Sequence, residues 1–337
     1  MKNILIVGAD SFLGCHLIQY FLNRGFNIFA LGKNPSTAQP ECIWVEDLDE
    51  LSKIPIDHIF NLVDGSICAK RWTFKRKKQL VSGLVRSTKS LMNWIRENNK
   101  NLKTIITTSS THYYGICPRY KWANTCSENQ HPQPFFISKL YQLLENAALR
   151  DHPNAKVVRL GIVLDNKSGI FLKLLKPLRN NLVGHIGNGR QPFNWIHIED
   201  VCRAFEYLIT IETSTQYFNL VAPENINQKE MVDVSTQHFR KAPIFNPPYW
   251  IYKLILGERS DCLINGQHCE PKALTDNYFI FKHTNLKDAL ENLFPRNNEN
   301  IIFYYLKKIS KKIENIIFHL IIYLFMIINR KPNKSNK

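Results

Sequence analysis

Apolar residues along the chain fall into short runs and helical spacings that alternate, with glycines at several of the joints. Ile4-Leu5-Ile6-Val7 is apolar on both faces and stops at Gly8, the pattern of a strand buried in a parallel sheet. Phe12 to Leu22 follows with helical spacing and ends before Gly25, a C-cap position. Ile28–Leu31, Cys42–Val45, Ile59–Val63, Lys103–Thr108 and Val157–Leu164 are further strand candidates, and a helix is predicted over Phe136–Leu149. Between residues 70 and 103, Leu80, Leu84, Leu91 and Ile95 recur at helical spacing opposite Lys and Arg, which predicts one long helix. Such alternation implies an α/β fold whose parallel sheet is covered by helices on both faces. No internal repeat or low-complexity linker precedes residue 295.

Beyond Pro295 the pattern changes. Ile302, Leu306, Ile309, Ile313, Ile316, Ile317 and Leu320 recur three or four apart, with Lys307, Lys308, Lys311 and Lys312 on the other side. Ile316 to Ile328 is then apolar apart from His319, and Arg330-Lys331 follows. As a helix that stretch is about 20 Å long against about 30 Å of hydrocarbon, too short to span a bilayer. Residues 301–331 therefore read as a basic amphipathic segment lying on an anionic membrane. A helix packed on the body or on a partner subunit, or a simple extension, is the structural alternative.

Composition narrows the class. With 337 residues, 44% of them hydrophobic, the chain makes one large domain or two ordinary ones, and disordered and fibrous classes are excluded. The net charge of +16 sits in two places: residues 70–103 hold eleven Lys/Arg and one Glu, and residues 295–337 hold nine and two. A solvated helix face accounts for the first, and attraction of a phosphorylated ligand or anionic surface is its sharper reading. No nucleic-acid-binding motif accompanies the charge, so no nucleic acid is expected as partner. Eight scattered cysteines without a C-x-x-C pair argue against a metal or disulfide framework and for a reducing compartment. No secretory signal is readable after Met1, so the expected location is cytoplasmic, peripheral at a membrane if the tail binds one.

The chemistry begins at the first turn. Gly8-Ala9-Asp10-Ser11-Phe12-Leu13-Gly14 stands between the first strand and its helix, where a tight turn and unpaired helix N–H groups suit a pyrophosphate. Ser11 replaces the middle glycine of the G-x-x-G-x-x-G spacing, and a Cβ there crowds the approach of phosphate. The second strand ends in Ala30-Leu31-Gly32-Lys33-Asn34, with no acid for a ribose 2′-hydroxyl. Lys33 suits a 2′-phosphate instead, so NADP(H) is expected over NAD(H). A plain structural turn and a solvated lysine are the alternatives.

Further blocks lie downstream: Asn61-Leu62-Val63 through Ala69-Lys70-Arg71-Trp72-Thr73, Ser109-Ser110-Thr111-His112-Tyr113-Tyr114-Gly115, and Arg159 to Leu164. Gly184-His-Ile-Gly-Asn-Gly-Arg-Gln191, Trp195-Ile-His-Ile-Glu-Asp200, and Leu256-Gly-Glu-Arg-Ser260 with Gly266-Gln267 complete the series. Through these the chain resembles the extended short-chain dehydrogenases/reductases, and within them the atypical epimerase-like subfamily of NAD-dependent epimerase/dehydratase type. The resemblance covers residues 1 to about 294. It implies a Rossmann-type doubly wound sheet over residues 1–165, to which 195–221 return. A smaller substrate part would comprise 166–194 and 222–294, and residues 295–337 would form the tail. Asn61 and Leu62 would border the cofactor, and dimerisation through two helices is implied.

The resemblance also implies a Ser or Thr followed by Tyr-x-x-x-Lys. Lys139 is present, where it would hold the nicotinamide ribose, but Phe135 stands four residues before it and has no exchangeable proton. Ser109, Ser110, Tyr114 and Lys139 form the expected catalytic set, with Tyr114 preferred over Tyr113, Glu128 and His112 as the substitute acid/base. Tyr113, Arg159 and Arg190 are the expected substrate contacts, the arginines for phosphate or carboxylate. Asp64 stands where relatives tend to have glycine and would repel cofactor phosphates. His197 and Asp200 read as capping residues. The expected function is NADP(H)-dependent oxidoreductase or epimerase-like chemistry on a small carbonyl or sugar-type substrate. A non-catalytic dinucleotide-binding sensor and a membrane-surface scaffold are the alternatives.

Overall fold

The computed structural model describes residues 2–32, 41–62, 67, 70–115, 125–150 and 152–295. Lys33, Asp64 and the expected tail segment 301–331 lie outside the described residues. Residues Met1–Leu293 form one compact unit. Its elements in chain order are β1 (Asn3–Val7), α1 (Phe12–Leu22), β2 (Asn27–Leu31), β3 (Ile43–Val45), β4 (His58–Asn61), α2 (Phe74–Asn98) and β5 (Thr104–Ser110). Then come β6 (Thr125–Cys126), α3 (Phe136–Leu149), β7 (Ala155–Leu160), β8 (Ile162–Leu164), α4 (Ile170–Arg179), β9 (Trp195–His197), α5 (Ile198–Leu208) and β10 (Tyr217–Leu220). The chain continues through α6 (Gln228–Phe239), α7 (Tyr249–Leu256), α8 (Asp261–Ile264), β11 (His268–Cys269), α9 (Lys272–Asp276) and α10 (Leu286–Leu293).

Seven strands form a parallel sheet in the order β10-β7-β5-β4-β1-β2-β3, the Rossmann-like architecture expected. Strand alternation sorts its two faces. Leu5, Ile59 and Ile105 stand side by side in register and pack with Leu91, Trp94 and Ile95 of α2. On the opposite face Phe60 lies between Phe21 of α1 and Phe205 of α5, with ring centroids 5.1 and 5.0 Å away. The leucine stripe of α2 divides its work: Leu91 and Ile95 meet the sheet, whereas Leu80 and Leu84 meet Ile137 and Leu140 of α3.

The predicted strand Val157–Leu164 is two strands. Gly161 separates them: β7 stays in the main sheet, while β8 pairs with β9. A Cβ on Gly161 would sit 2.9 Å from the Asn194 carbonyl oxygen, so only glycine lets the crossing segment approach. Among the described residues no helix is long and apolar enough to cross a membrane.

Candidate functional site

The order of strands reverses between β1 and β4, the switch point at which a doubly wound sheet opens a crevice at its carboxyl ends. Gly8 ends β1 at a φ of 76°, and a Cβ on it would fall 2.5 Å from the Leu62 carbonyl oxygen. A Cβ on Gly14 would fall 2.4 Å from the Ala9 carbonyl oxygen. Both glycines are thus required by close approach, and between them the turn presents the first N–H groups of α1. Ser11 is accommodated because its backbone is extended, at φ −74° and ψ 162°, a region open to any residue. Its hydroxyl turns back to accept the Gly14 N–H at 3.1 Å, capping α1. Phe12 and Leu13 open that helix, with Leu13 buried and Phe12 half-buried.

Asp10 supplies what the sequence order hides. Its Oδ1 would be 2.7 Å from a Cβ on Gly32, so the carboxylate stands against the end of β2. An acid is therefore present in space at the strand end, contributed by the first turn. On the other flank His16 Nε2 meets Asp165 Oδ1 at 3.3 Å, tying α1 to the loop after β8. Burial favours neutral forms of both, yet their mutual hydrogen bond holds the His16 pKa above its ordinary value and brings Asp165 down to about 2.

Several expected site residues turn inward and bond to one another. Arg159 is 1% exposed and donates from Nε and Nη2 to the two carboxylate oxygens of Glu145, at 3.1 and 2.8 Å. Its Nη1 donates to the Tyr114 hydroxyl and to the Glu128 carbonyl, both at 2.9 Å. Four of its five N–H donors are thus committed within the protein. Tyr114 is fully buried, and its hydroxyl donates to Asn219 at 2.7 Å. Burial pushes that phenol well above its ordinary pKa. Ser109 donates to Glu145 at 2.5 Å, and Glu128 accepts from the Asn219 and Ala273 N–H groups. The Asn61 amide donates to the Thr88 and Thr107 hydroxyls, at 3.3 and 3.4 Å. Tyr113 lays its ring under the Arg159 guanidinium at 3.6 Å.

Ser110 and His112 remain at the carboxyl end of β5. The Ser110 hydroxyl and His112 Nδ1 are 2.9 Å apart, and His112 Nε2 lies 3.2 Å from the Cys262 carbonyl oxygen. One tautomer satisfies both contacts: Nε2–H donates to the carbonyl, and Nδ1 accepts from Ser110. Burial lowers the His112 pKa, opposed in part by the Cys262 carbonyl. The 3-10 turn Thr111–Tyr114 that carries His112 receives the Ser138 hydroxyl at the Tyr113 carbonyl, 2.5 Å away. The next residue is Lys139, exposed in the first turn of α3. Phe135 precedes that helix, half-exposed, with its ring 3.2 Å from where a Gly115 Cβ would be.

Residues 249–264, in which the sequence shows little chemistry, form a strap. The Tyr249 hydroxyl bonds Asn188 in the glycine loop, and the Gly187 φ of 58° lets the Tyr249 ring lie where a Cβ would be. At its other end the Leu254 and Ile255 carbonyls accept from Arg71, and Cys262 supplies the carbonyl under His112. Arg190 is exposed on the glycine loop. His197 caps α5, accepting the Glu199 N–H at 3.1 Å, and Asp200 accepts the Lys282 and His283 N–H groups. His197, Glu199 and His283 bring possible metal ligands within 4.8 Å of one another. Lys282 Nζ already stands 2.6 Å from Glu199, and the imidazoles stack at 3.7 Å.

Residues 4–221 match the family described as NAD dependent epimerase/dehydratase, and residues 247–293, which contain the whole strap, match a domain of unknown function, DUF1731. An epimerase family protein of Staphylococcus aureus strain NCTC 8325 / PS 47 is 30% identical over 301 residues, 87% of this chain and 99% of that protein. Another, from Staphylococcus haemolyticus, is 27% identical over 300 residues, 87% of this chain and 99% of that one. The crystal structure of human epimerase family protein SDR39U1 with NADPH superposes with a TM-score of 0.77 at 24% identity, over 87% of this chain and 99% of that chain. MoeE5 in complex with UDP-glucuronic acid and NAD gives 0.66 at 19% identity, over 86% and 96%. At those identities the structures establish a shared fold.

Proposed function

Because the chain belongs to the NAD dependent epimerase/dehydratase family, we propose that it binds NADP(H) in the β1–β4 crevice and uses it on a carbonyl or carbinol of a sugar-type substrate. The observation that carries this reading is the turn at Gly8 and Gly14, closed to any Cβ and placed at the start of α1, where a dinucleotide's pyrophosphate would be held. Lys33 in the sequence and the NADPH-bound human relative favour the 2′-phosphate. The Asp10 carboxylate opposes it, so an Asp10→Asn variant should bind NADPH more tightly while NADH binding changes little.

The bound nicotinamide supplies the hydride acceptor or donor; the proton falls to the chain. In the oxidative direction Ser110 Oγ takes the carbinol proton while its own proton passes to His112 Nδ1. The resulting imidazolium keeps Nε2–H on the Cys262 carbonyl, and reduction reverses both transfers. Lys139 would donate to the ribose hydroxyls, and Arg190 would grip a phosphate or carboxylate of the substrate.

Calorimetric titration of the full chain with NADPH and then NADH tests the Gly8–Gly14 turn. Binding that is lost in Gly14→Val supports it, and no binding of either dinucleotide defeats it. UDP-glucose and a panel of small carbonyls then test turnover. Because the His112 pKa is lowered, oxidation should hold its rate through neutrality and fall only below the ordinary imidazole range of about 6.5. His112→Gln should abolish that acid limb together with most of the rate. Phe135 in the tyrosine position favours a second reading, a dinucleotide sensor, which saturable binding without turnover on any substrate of that panel would support.

A further inference from the structure

The strap carries an outer surface that neither the crevice nor the proton route uses. No residue of α7, whose sequence is YWIYKLIL, is fully buried. Trp250, Leu254 and Ile255 are 64, 70 and 61% exposed, far more than single scattered apolar residues require. The start of α2 adjoins it, joined by Arg71 to the Leu254 and Ile255 carbonyls and by Lys77 to Glu258 at 2.6 Å. That start presents Phe74, 77% exposed, with the Lys78 ammonium 5.1 Å from its ring.

The charge on this face has no account in helix stability. A helix N-terminus favours acids in its first turn, whereas α2 opens with Lys75, Arg76, Lys77 and Lys78 and carries no acid before Glu97. An aromatic and aliphatic patch beside a basic turn matches the two demands of an anionic bilayer, which are apolar burial at the headgroup boundary and cations at its surface. A second copy is disfavoured, because a two-fold contact through this face would set one basic turn against the other.

We propose that the outer face of α7, together with the first turn of α2, docks on an anionic phospholipid membrane. Contact is made by Phe74, Trp250, Leu254 and Ile255, with the α2 lysines on the headgroups. The same strap holds His112 through Cys262, so docking would bring the support of the Ser110–His112 pair to the lipid surface. The surface is distinct from the tail and is independent of the dinucleotide reading.

The test is co-sedimentation of the full chain with vesicles of phosphatidylcholine, with and without phosphatidylglycerol. Binding should require phosphatidylglycerol and weaken as salt is raised. A Trp250→Ser/Leu254→Ser/Ile255→Ser variant and a Lys75→Glu/Lys78→Glu variant should each lower partitioning about tenfold or more. All five side chains are solvent-facing, and unchanged melting temperatures verify that both variants are folded. Undiminished sedimentation of both variants would assign any binding to the tail and overturn the proposal. So would a wild-type chain that ignores the vesicles, whether it runs as a monomer or as a dimer that the Trp250 variant splits.

Discussion

Arg159 is a charge in the middle of a parallel strand, between Val158 and Leu160. Such a residue demands a partner, and Glu145, on the buried face of α3, answers with both carboxylate oxygens. Burial works against the guanidinium charge, but Glu145 holds the Arg159 pKa above its ordinary value. Removing one partner strands the other, so Glu145→Gln should cost about 3–5 kcal/mol of stability. A Glu145→Leu/Arg159→Met double variant should cost less than the two single changes summed, as read by urea denaturation. Additive losses would mean that the pair is not coupled. The sequence showed the charged residue in the strand but not which way it faced. An arginine in a strand facing a cleft and one facing a helix read alike until the pleat is known. The same holds for Tyr114, whose neighbour Gly115 marks a turn without saying which tyrosine enters the core.

At the scale of elements, periodicity carried far. The leucine stripe of α2, the Gly8 turn and the strands β1, β2 and β4 follow from apolar spacing, because burial on a sheet imposes it. Gly161 escaped that logic, since an apolar run reads the same on either side of a sheet switch. The His16–Asp165 link escaped it too, for nothing local connects α1 with the loop after β8. Its pH dependence has a definite sign. Asp165 falls from 3.8 to about 2, so its contribution is complete above 3.8 and is lost as pH drops toward 2. His16 is raised above 6.5, so its contribution is complete below 6.5 and is lost as pH rises through its folded value. The melting temperature lost in Asp165→Asn should therefore be greatest between about pH 4 and 6.5 and shrink on both sides. A loss that is flat across that range would show the link to be idle.

For the whole molecule, strand alternation was enough to specify a doubly wound sheet, and the sheet's switch point then located the crevice. What alternation does not specify is the interior polar load, and this fold buries histidines in the neutral form. His58, at the head of β4, is 1% exposed, and among the described residues neither ring nitrogen has a hydrogen-bond partner. Burial first, then Lys2, lowers its pKa from 6.5 to about 4. His197, at the end of β9, is lowered to about 4 by burial and by the stacked His283. Each imidazole takes up a proton on unfolding between those values, so stability is intact above 6.5 and declines as pH falls toward 4. The slope approaches about 1.4 kcal/mol per pH unit for each histidine. Replacing His58 by Leu keeps the site apolar, removes two unsatisfied nitrogens and takes away one titrating group. The variant should melt at or above the wild-type temperature at pH 5, and its melting temperature should fall less steeply between pH 6.5 and 4. An unchanged slope would mean that His58 is already protonated in the folded chain, with a carboxylate or water reaching a ring nitrogen that the fold otherwise seals in hydrocarbon.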